Sequence, residues 1–111
     1  MTDLSVDIII PTHNRAHLID TAVRAALDQS WWNAHVTVVD DGSTDATQDR
    51  LARHFDDPRF TYVRLAQNVG TAQAKNAGLL LTGGDAVTFH DSDDIPHRDK
   101  VLHQVRILAQ P

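Results

Sequence analysis

Short apolar segments alternate with amphipathic ones along the whole chain. Four segments are almost entirely apolar and rich in β-branched or aromatic residues, which is typical of buried strands. The predicted strands are Val6–Ile10, Val36–Val39, Phe60–Val63 and Ala86–Phe89. Pro11 follows the first strand directly, and we expect it to end that strand because proline donates no backbone hydrogen bond.

A segment that predicts a helix follows each of these strands. In the first such segment apolar residues recur at a period near 3.6 residues, as expected for a helix with one buried face. We expect Asn14 to cap the first helix and Thr71 to cap the third. The second helix should begin at Thr44 or Asp45, and the fourth should have Pro96 in its first turn. The second and third should end near Phe55 and Leu81, and the inner face of the fourth consists of Val101, Leu102, Val105 and Leu108.

The resulting order, β-α-β-α-β-α-β-α, indicates an α/β fold. Nearly continuous apolar strands that alternate with helices predict a mostly parallel sheet with helices on both faces. Right-handed crossover connections then place all strand-to-helix loops at the carboxyl edge of the sheet, where ligands bind in such folds. We therefore expect one ligand site built from four loops, at residues 11–15, 40–45, 68–75 and 91–94.

Composition limits the classes of function. The 111 residues are 41% hydrophobic and 23% charged, as in one ordinary soluble domain spanning 1–111. No cysteine is present, which excludes disulfide scaffolds, thiolate metal sites and thiol catalysis. The net charge of −5 argues against nucleic acid as a partner. Neither a signal peptide nor a membrane span is evident, so we expect a cytoplasmic protein, or one peripheral to the inner face of the membrane in its full-length form.

The loop after the fourth strand holds the strongest candidate metal ligands. Asp91, Asp93 and Asp94 are three carboxylates within four residues, which repel one another unless they are solvated, protonated or bridged by a cation. The D-x-D spacing directs Asp91 and Asp93 to one region and Ser92 away from it, and hard cations prefer oxygen ligands. The alternative is that Asp93 or Asp94 caps the last helix. The residues alone leave both interpretations open.

The loop after the second strand carries a second pair of carboxylates, Asp40 and Asp41, followed by Gly42 and Ser43. A carboxylate at a strand end can accept a hydrogen bond from a nucleobase or a ribose hydroxyl. A tight turn with a helix cap is the alternative, and the motif taken alone favours it. The seven histidines lack the H-E-x-x-H motif of a zinc site, so we expect most of them to have surface or structural roles.

Four segments together resemble the family 2 glycosyltransferases, which are inverting enzymes of the GT-A fold. The segments are VDIIIPTHNR (6–15), VVDDGSTD (38–45), NVGTAQAKNAG (68–78) and VTFHDSDD (87–94), in the order and approximate spacing of that family. The resemblance covers essentially the whole chain. It implies a GT-A-type, Rossmann-like sheet and an incomplete GT-A domain, whose nucleotide-sugar-binding half is residues 1–111.

The resemblance implies roles for the residues of the first two loops. Pro11 and Thr12 would lie against the nucleobase of a sugar nucleotide, usually uracil, and Arg15 near that base or the phosphates. Asp41 would hydrogen-bond the base, with Asp40 as its neighbour.

The other two loops receive roles in the same way. Asn68 and Gly70 would line the nucleotide site, and Lys75 occupies the position of a basic residue that is often arginine in the family. Asp91 would contact the ribose or the donor sugar. Asp91 and Asp93 would hold the Mn²⁺ or Mg²⁺ that bridges the diphosphate.

The function implied by the resemblance is transfer of a sugar, with inversion, from a UDP-sugar to an acceptor. The acceptor, whether carbohydrate, lipid or protein, is unknown, and no catalytic residue is assigned because the family's general base lies beyond a point equivalent to Pro111. The alternative is a non-catalytic fragment that binds nucleotide and metal. A receiver domain would need acidic residues where residues 11–14 stand, and a nucleotidyltransferase would need a glycine-rich loop there.

Overall fold

A computed structural model describes residues 3–110 and confirms the predicted alternation of strands and helices. The elements are β1 (Val6–Thr12), α1 (Ala16–Leu27), β2 (Ala34–Asp40), α2 (Thr47–Leu51), β3 (Phe60–Arg64), α3 (Thr71–Leu81), β4 (Ala86–Phe89) and α4 (Lys100–Leu108). A 3₁₀ turn, Ala52–His54, follows α2. Within the described residues, none of the helices has the length and apolarity that crossing a membrane requires.

The four strands form one sheet in the order β3-β2-β1-β4, and all three neighbouring pairs are parallel. The chain first moves outward from β1 to β2 and β3, and then crosses back to the other side of β1 to form β4. The strand order therefore reverses between β1 and β4. In open α/β sheets such a reversal leaves a crevice at the carboxyl ends of the two strands.

Helices cover both faces of the sheet, as the sequence predicts. Ile8 and Ile10 on β1 point to the face that packs against α1, α2 and α4, whereas Ile9 points to α3 on the other face. Gly78 allows α3 to approach closely, because a Cβ atom there would lie 2.7 Å from Cγ2 of Ile9. The sheet is thus fixed between two helical layers, and its carboxyl edge is left for the loops.

The expected end of the first strand at Pro11 is wrong, because β1 continues to Thr12. Ile9 directs its carbonyl group to the β4 side, where it accepts a hydrogen bond from the backbone N–H of His90. Backbone groups alternate sides along a strand, so Pro11 also faces the β4 side. The ladder between β1 and β4 ends at the pair Ile9–Phe89. The missing N–H of Pro11 therefore costs no sheet hydrogen bond.

The starts predicted for the first three helices are also wrong. Arg15, not Asn14, precedes α1, and Asn14 has a left-handed backbone with φ of 52°. Gly70 rather than Thr71 precedes α3. The second helix begins at Thr47 instead of Thr44 or Asp45, because the Asp45 carboxylate accepts a hydrogen bond from the Thr47 N–H at 3.0 Å.

The last helix starts at Lys100, well after Pro96. The end of α1 fixes this start, since the Gln29 side chain accepts a hydrogen bond from the Val101 N–H at 3.0 Å and donates one to the His97 carbonyl at 2.9 Å. The interpretation of Asp93 or Asp94 as the cap of this helix is therefore wrong. Leu108, expected on the inner face, is exposed, while Val101 and Val105 are buried.

Candidate functional site

A cleft of about 330 Å³ lies at the carboxyl edge of the sheet, between the ends of β1 and β4. Its lining residues come from all four predicted loops: Pro11, Thr12, His13, Arg15, Asp41, Thr71, Ala74, Asp91, Ser92 and Asp93. Six of the residues proposed from the sequence are thus brought together. The other four, Asp40, Asn68, Gly70 and Lys75, do not line this cleft.

The floor of the cleft is the end of β1. Because β1 extends three residues beyond its last pairing with β4, one side of Pro11 and Thr12 is open to a ligand. The Thr12 side chain is only 4% exposed, and its hydroxyl has no hydrogen-bond partner among the described residues. Buried hydroxyl groups are nearly always paired in folded proteins, so this orphaned hydroxyl is an unusual feature of the cleft floor.

Asp41 forms one wall and organises the loop that precedes α3. Its buried carboxylate accepts hydrogen bonds from the backbone N–H groups of Val69 at 2.7 Å and Gly70 at 2.9 Å. Its own N–H donates to the Thr12 carbonyl at 2.8 Å. Gly70 has φ of 96°, which a residue with a side chain rarely adopts. A carboxylate has more lone pairs than these two bonds use, so Asp41 can still accept a hydrogen bond from a ligand.

Asp40 lies beneath the cleft and is fully buried. Its carboxylate accepts hydrogen bonds from the Tyr62 hydroxyl and from the Ser43 N–H, and Arg64 lies 3.7 Å away. Burial of the Tyr62 hydroxyl and its hydrogen bond to Asp40 raise the pKa of Tyr62. Asp40 therefore anchors the turn that carries Asp41.

Three residues hold the loops after β1 and β2 together: Asn14, Ser43 and Asp45. The sequence did not predict this role. The Asn14 N–H donates to Ser43 Oγ at 2.9 Å, and Asn14 Oδ1 accepts from the Thr44 N–H at 2.8 Å. The Asp45 carboxylate caps α1 from the neighbouring loop by accepting from the Ala16 N–H at 3.1 Å. The one available signal was Asn14, because asparagine tolerates the left-handed backbone of a turn.

Asp91, Asp93 and Asp94 meet above the cleft. Each places a carboxylate oxygen within 4.8 Å of the others, and all three side chains are exposed. Ser92 between them is buried and lines the same cleft as Asp91 and Asp93. A hydrogen bond with Asp91, slight desolvation and the negative charges of Asp91 and Asp93 raise the pKa of Asp94. Converging, mutually repelling carboxylate oxygens fit a hard divalent cation such as Mn²⁺ or Mg²⁺.

His90 stands at the base of this acidic loop and is 3% exposed. Burial, together with the positive charge of Lys100, lowers the pKa of His90 to about 4, although Asp91 acts in the opposite direction. Neither ring nitrogen has a partner within residues 3–110. Lys100 donates to the Phe89 carbonyl at 3.3 Å and so secures the end of β4. His90, directly before the acidic loop, is therefore neutral at pH 7.

The remaining predicted residues take separate positions. Arg15 is exposed at the cleft and is its nearest guanidinium group. Lys75 instead places its Nζ atom 5.3 Å from the centre of the Phe89 ring, a cation–π distance. Asn68 and Gly70 lie in the exposed loop that Asp41 holds.

Curated relatives and solved structures match nearly the whole chain. A putative teichuronic acid biosynthesis glycosyltransferase, TuaG of Bacillus subtilis (strain 168), is 37% identical over 106 residues, which are 95% of this chain and 42% of TuaG. The mannosyltransferase PcManGT from Pyrobaculum calidifontis, solved with GDP-Man and Mn²⁺, is 32% identical with a TM-score of 0.88, over 97% of this chain and 33% of that protein.

Residues 1–349 of S. aureus TarS, solved with UDP-GlcNAc, are 25% identical to this chain with a TM-score of 0.85. This match covers 95% of the chain and 31% of the TarS structure. The chain spans less than half the length of these curated relatives, between 18% and 42% of each. The sheet and its helices are those of the GT-A glycosyltransferases, as predicted. The model of glycosyl transferase family 2 matches residues 7–111, and the chain belongs to that family.

Proposed function

We propose that residues 1–111 form the nucleotide-sugar-binding half of a GT-A glycosyltransferase domain. The bound donor is a UDP-sugar, and the full-length protein transfers its sugar with inversion to an acceptor. The observation that carries this proposal is the convergence of Asp91, Asp93 and Asp94 at the rim of the cleft that Thr12 and Asp41 line. Such a cleft offers a metal site beside a polar pocket, as a nucleoside diphosphate requires.

The part of the cleft away from the metal ligands suits the nucleoside. Thr12 and Asp41 line this part, and the Asp41 carboxylate can accept hydrogen bonds from N–H and O–H groups. Arg15 supplies positive charge at the cleft for the diphosphate. PcManGT was solved in complex with GDP-Man and TarS in complex with UDP-GlcNAc, both of which are nucleotide sugars.

Asp91 and Asp93 are the residues that we propose as ligands of Mn²⁺ or Mg²⁺. Their residue types and geometry fit such an ion, because their carboxylate oxygens lie within 4.8 Å of each other and of a carboxylate oxygen of Asp94. A bound divalent cation supplies charge neutralisation for the diphosphate leaving group. The residues of this chain hold and orient the donor, and Asp41 fixes the loop at the base-binding end.

The competing proposal is a module that binds nucleotide and metal without catalysis. The chain matches about a third of each solved structure compared above, and this competing proposal concerns that part alone. Deprotonation of the acceptor hydroxyl requires a general base in the transferase. In the first proposal that base belongs to the remaining length of the full protein.

Isothermal titration of the 111-residue chain with UDP, with and without Mn²⁺, tests the proposal. UDP should bind more tightly in the presence of Mn²⁺, and Asp93→Ala should weaken that metal-dependent binding by about 10–100-fold or more. Asp56→Ala is the matched control, because Asp56 is an exposed aspartate in the turn at the opposite edge of the sheet. Equal UDP affinity in Asp93→Ala and the unaltered chain would rule out the metal assignment.

Two further measurements separate the finer parts of the proposal. Titration with GDP in place of UDP tests the nucleobase, and tighter binding of GDP would overturn the uridine preference. Incubation with a UDP-sugar tests for release of free sugar by the chain. Binding without release supports the non-catalytic module for this chain and leaves transfer to the full-length protein.

A further inference from the structure

His13 lies where three loops of the candidate site meet. Its Nδ1 atom is 2.8 Å from the backbone carbonyl oxygen of Asp41, and its Nε2 atom is 3.0 Å from the side-chain nitrogen of Asn68. The side-chain nitrogen of Asn14 is 3.3 Å from the same Nε2 atom. One imidazole ring thus connects the loops after β1 and β2 to the loop before α3.

The chemistry of the partners determines which ring nitrogen carries the hydrogen. A carbonyl oxygen only accepts hydrogen bonds, so Nδ1 of His13 must donate to Asp41. The side-chain orientation of Asn14 is fixed independently, because its Oδ1 accepts from the backbone N–H groups of Thr44 and Asp45 at 2.8 and 3.3 Å. The Asn14 amino group therefore faces His13, and Nε2 must accept. Both constraints select the same neutral tautomer.

This tautomer gives the loop before α3 a second attachment. Asp41 already holds the backbone of Val69 and Gly70 through its carboxylate. His13 adds a second contact, to the side chain of Asn68, one residue earlier. The loop is tied to the end of β2 by one residue and to the end of β1 by the other.

We infer that His13 is a positioning residue for the nucleotide site, acting as a neutral imidazole with its hydrogen on Nδ1. It fixes residues 68–70 against the loop after β1, so that Thr71, the next residue along the chain and one that lines the cleft, is in place before a ligand arrives. Pre-organisation of this kind strengthens binding because the ligand does not have to order the loop. The inference rests on the proposed function for its effect on nucleotide affinity, whereas the tautomer and the loop attachment are independent of it.

The tautomer is measured directly by the ¹⁵N chemical shifts of the imidazole rings in the labelled chain, at a pH where histidines are neutral. His13 should show hydrogen on Nδ1 and not on Nε2, and its signals are assigned by their loss in His13→Gln. His17, exposed on α1, provides an internal reference. A His13 ring with its hydrogen on Nε2 would overturn the inference.

Two substitutions separate the two ends of the ring. In His13→Gln the carboxamide oxygen reaches the place of Nε2 and can still accept from Asn68. In His13→Asn the shorter carboxamide reaches only the place of Nδ1, so the bond to Asp41 survives and the bond to Asn68 is lost. UDP affinity should fall by about tenfold in His13→Asn, because loss of the hydrogen bond to Asn68 weakens binding by about as much as loss of one ordinary hydrogen bond. In His13→Gln, which keeps that bond, the affinity should fall by less than about threefold. His17→Asn is the matched control and should bind UDP normally.

Amide hydrogen exchange makes the test independent of any ligand. The N–H groups of Val69 and Gly70 should exchange faster in His13→Asn and at the unaltered rate in His13→Gln. Equal rates in both variants, or the opposite order, would contradict the positioning role. If the unaltered chain binds no UDP while the tautomer and the exchange rates are as expected, the proposed function fails and the role of His13 in the loop stands.

Discussion

Two acidic loops meet at the carboxyl edge of the sheet, and they differ in the burial and hydrogen bonding of their carboxylates. In the loop of residues 40–45, Asp40 and Asp41 are buried and accept hydrogen bonds from backbone and side-chain donors of the protein. In the loop of residues 91–94, the carboxylates of Asp91, Asp93 and Asp94 are exposed and face one another. The first group determines the shape of the site, and the second supplies negative charge at the rim and forms no salt bridge within residues 3–110.

The position of each strand in the sheet explains the difference. β2 lies between β1 and β3, so the residues at its end have partners on both sides. The Tyr62 hydroxyl on β3 donates to Asp40, and the Asp41 N–H donates to the Thr12 carbonyl on β1. β4 pairs with β1 alone within the described sheet, and its terminal loop projects into solvent. Similar runs of aspartate therefore have different roles. Whether their carboxylates are buried and hydrogen-bonded or exposed depends on how many strands flank the preceding strand.

Removal of the Asp41 carboxylate should give the largest effect on stability. Asp41→Ala leaves the N–H groups of Val69 and Gly70 without their charged acceptor, and hydrogen bonds to charged groups contribute about 1.5–3 kcal/mol each. We expect the free energy of unfolding to fall by about 3 kcal/mol, measured by urea denaturation at neutral pH. Asp93→Ala, in the exposed loop, should change it by less than about 0.5 kcal/mol. Similar losses in the two variants would show that the loops do not differ as described.

The architecture could be predicted from the sequence because its signals are repeated and strong. The four strands were predicted from their apolar, β-branched and aromatic content, and the first helix from its period near 3.6 residues. The parallel sheet with two helical layers followed from the order of the elements. The ends of the elements were predicted less well. The start of α4 depends on Gln29 at the end of α1, and that of α2 on the Asp45 carboxylate. Contacts between residues distant in sequence leave no periodic signal.

The candidate site was predicted in its chemistry but not in its hydrogen bonds. The loop rule placed Thr12, Asp41 and Asp93 at one edge, and the structure brings them to one cleft. It did not distinguish Asp40, which is buried beneath the cleft, from Asp41, which lines it. It also gave no role to His13, because a single histidine in a loop carries no pattern until its three partners are known.

Loss of the Tyr62 hydroxyl should have an intermediate effect. Tyr62→Phe removes one hydrogen bond to the buried Asp40 carboxylate, which keeps the Ser43 N–H and the nearby Arg64. We expect the free energy of unfolding to fall by about 1.5–3 kcal/mol, below the loss in Asp41→Ala, where two such bonds disappear. Urea denaturation of both variants under one condition gives the comparison. A larger loss in Tyr62→Phe would assign the shape of the site mainly to Asp40.

The smallest expected effect is a difference in the pH dependence of the two loops. In Asp45 desolvation acts upward, but hydrogen bonds from Thr47 and Ala16 outweigh it and lower the pKa. Asp45 therefore contributes stability that is present at neutral pH and is lost as the pH falls through its lowered pKa. The pKa of Asp94 is raised, first by its hydrogen bond with Asp91, so the folded protein binds this proton more tightly than the unfolded chain does. Its contribution has the opposite sign, and stability declines as the pH rises through the raised pKa.

Carboxyl ¹³C titrations by NMR should accordingly place the midpoint of Asp45 below the ordinary value of an aspartate and that of Asp94 above it. Mg²⁺, which is diamagnetic, adds the decisive comparison. A cation held by Asp91 and Asp93 offsets the negative charge that contributes to the raised pKa of Asp94, so Mg²⁺ should lower the Asp94 midpoint and leave that of Asp45 unchanged. An equal response of both residues to Mg²⁺ would mean that general ionic screening acts on the two loops alike, and that the exposed carboxylates do not form a specific cation site.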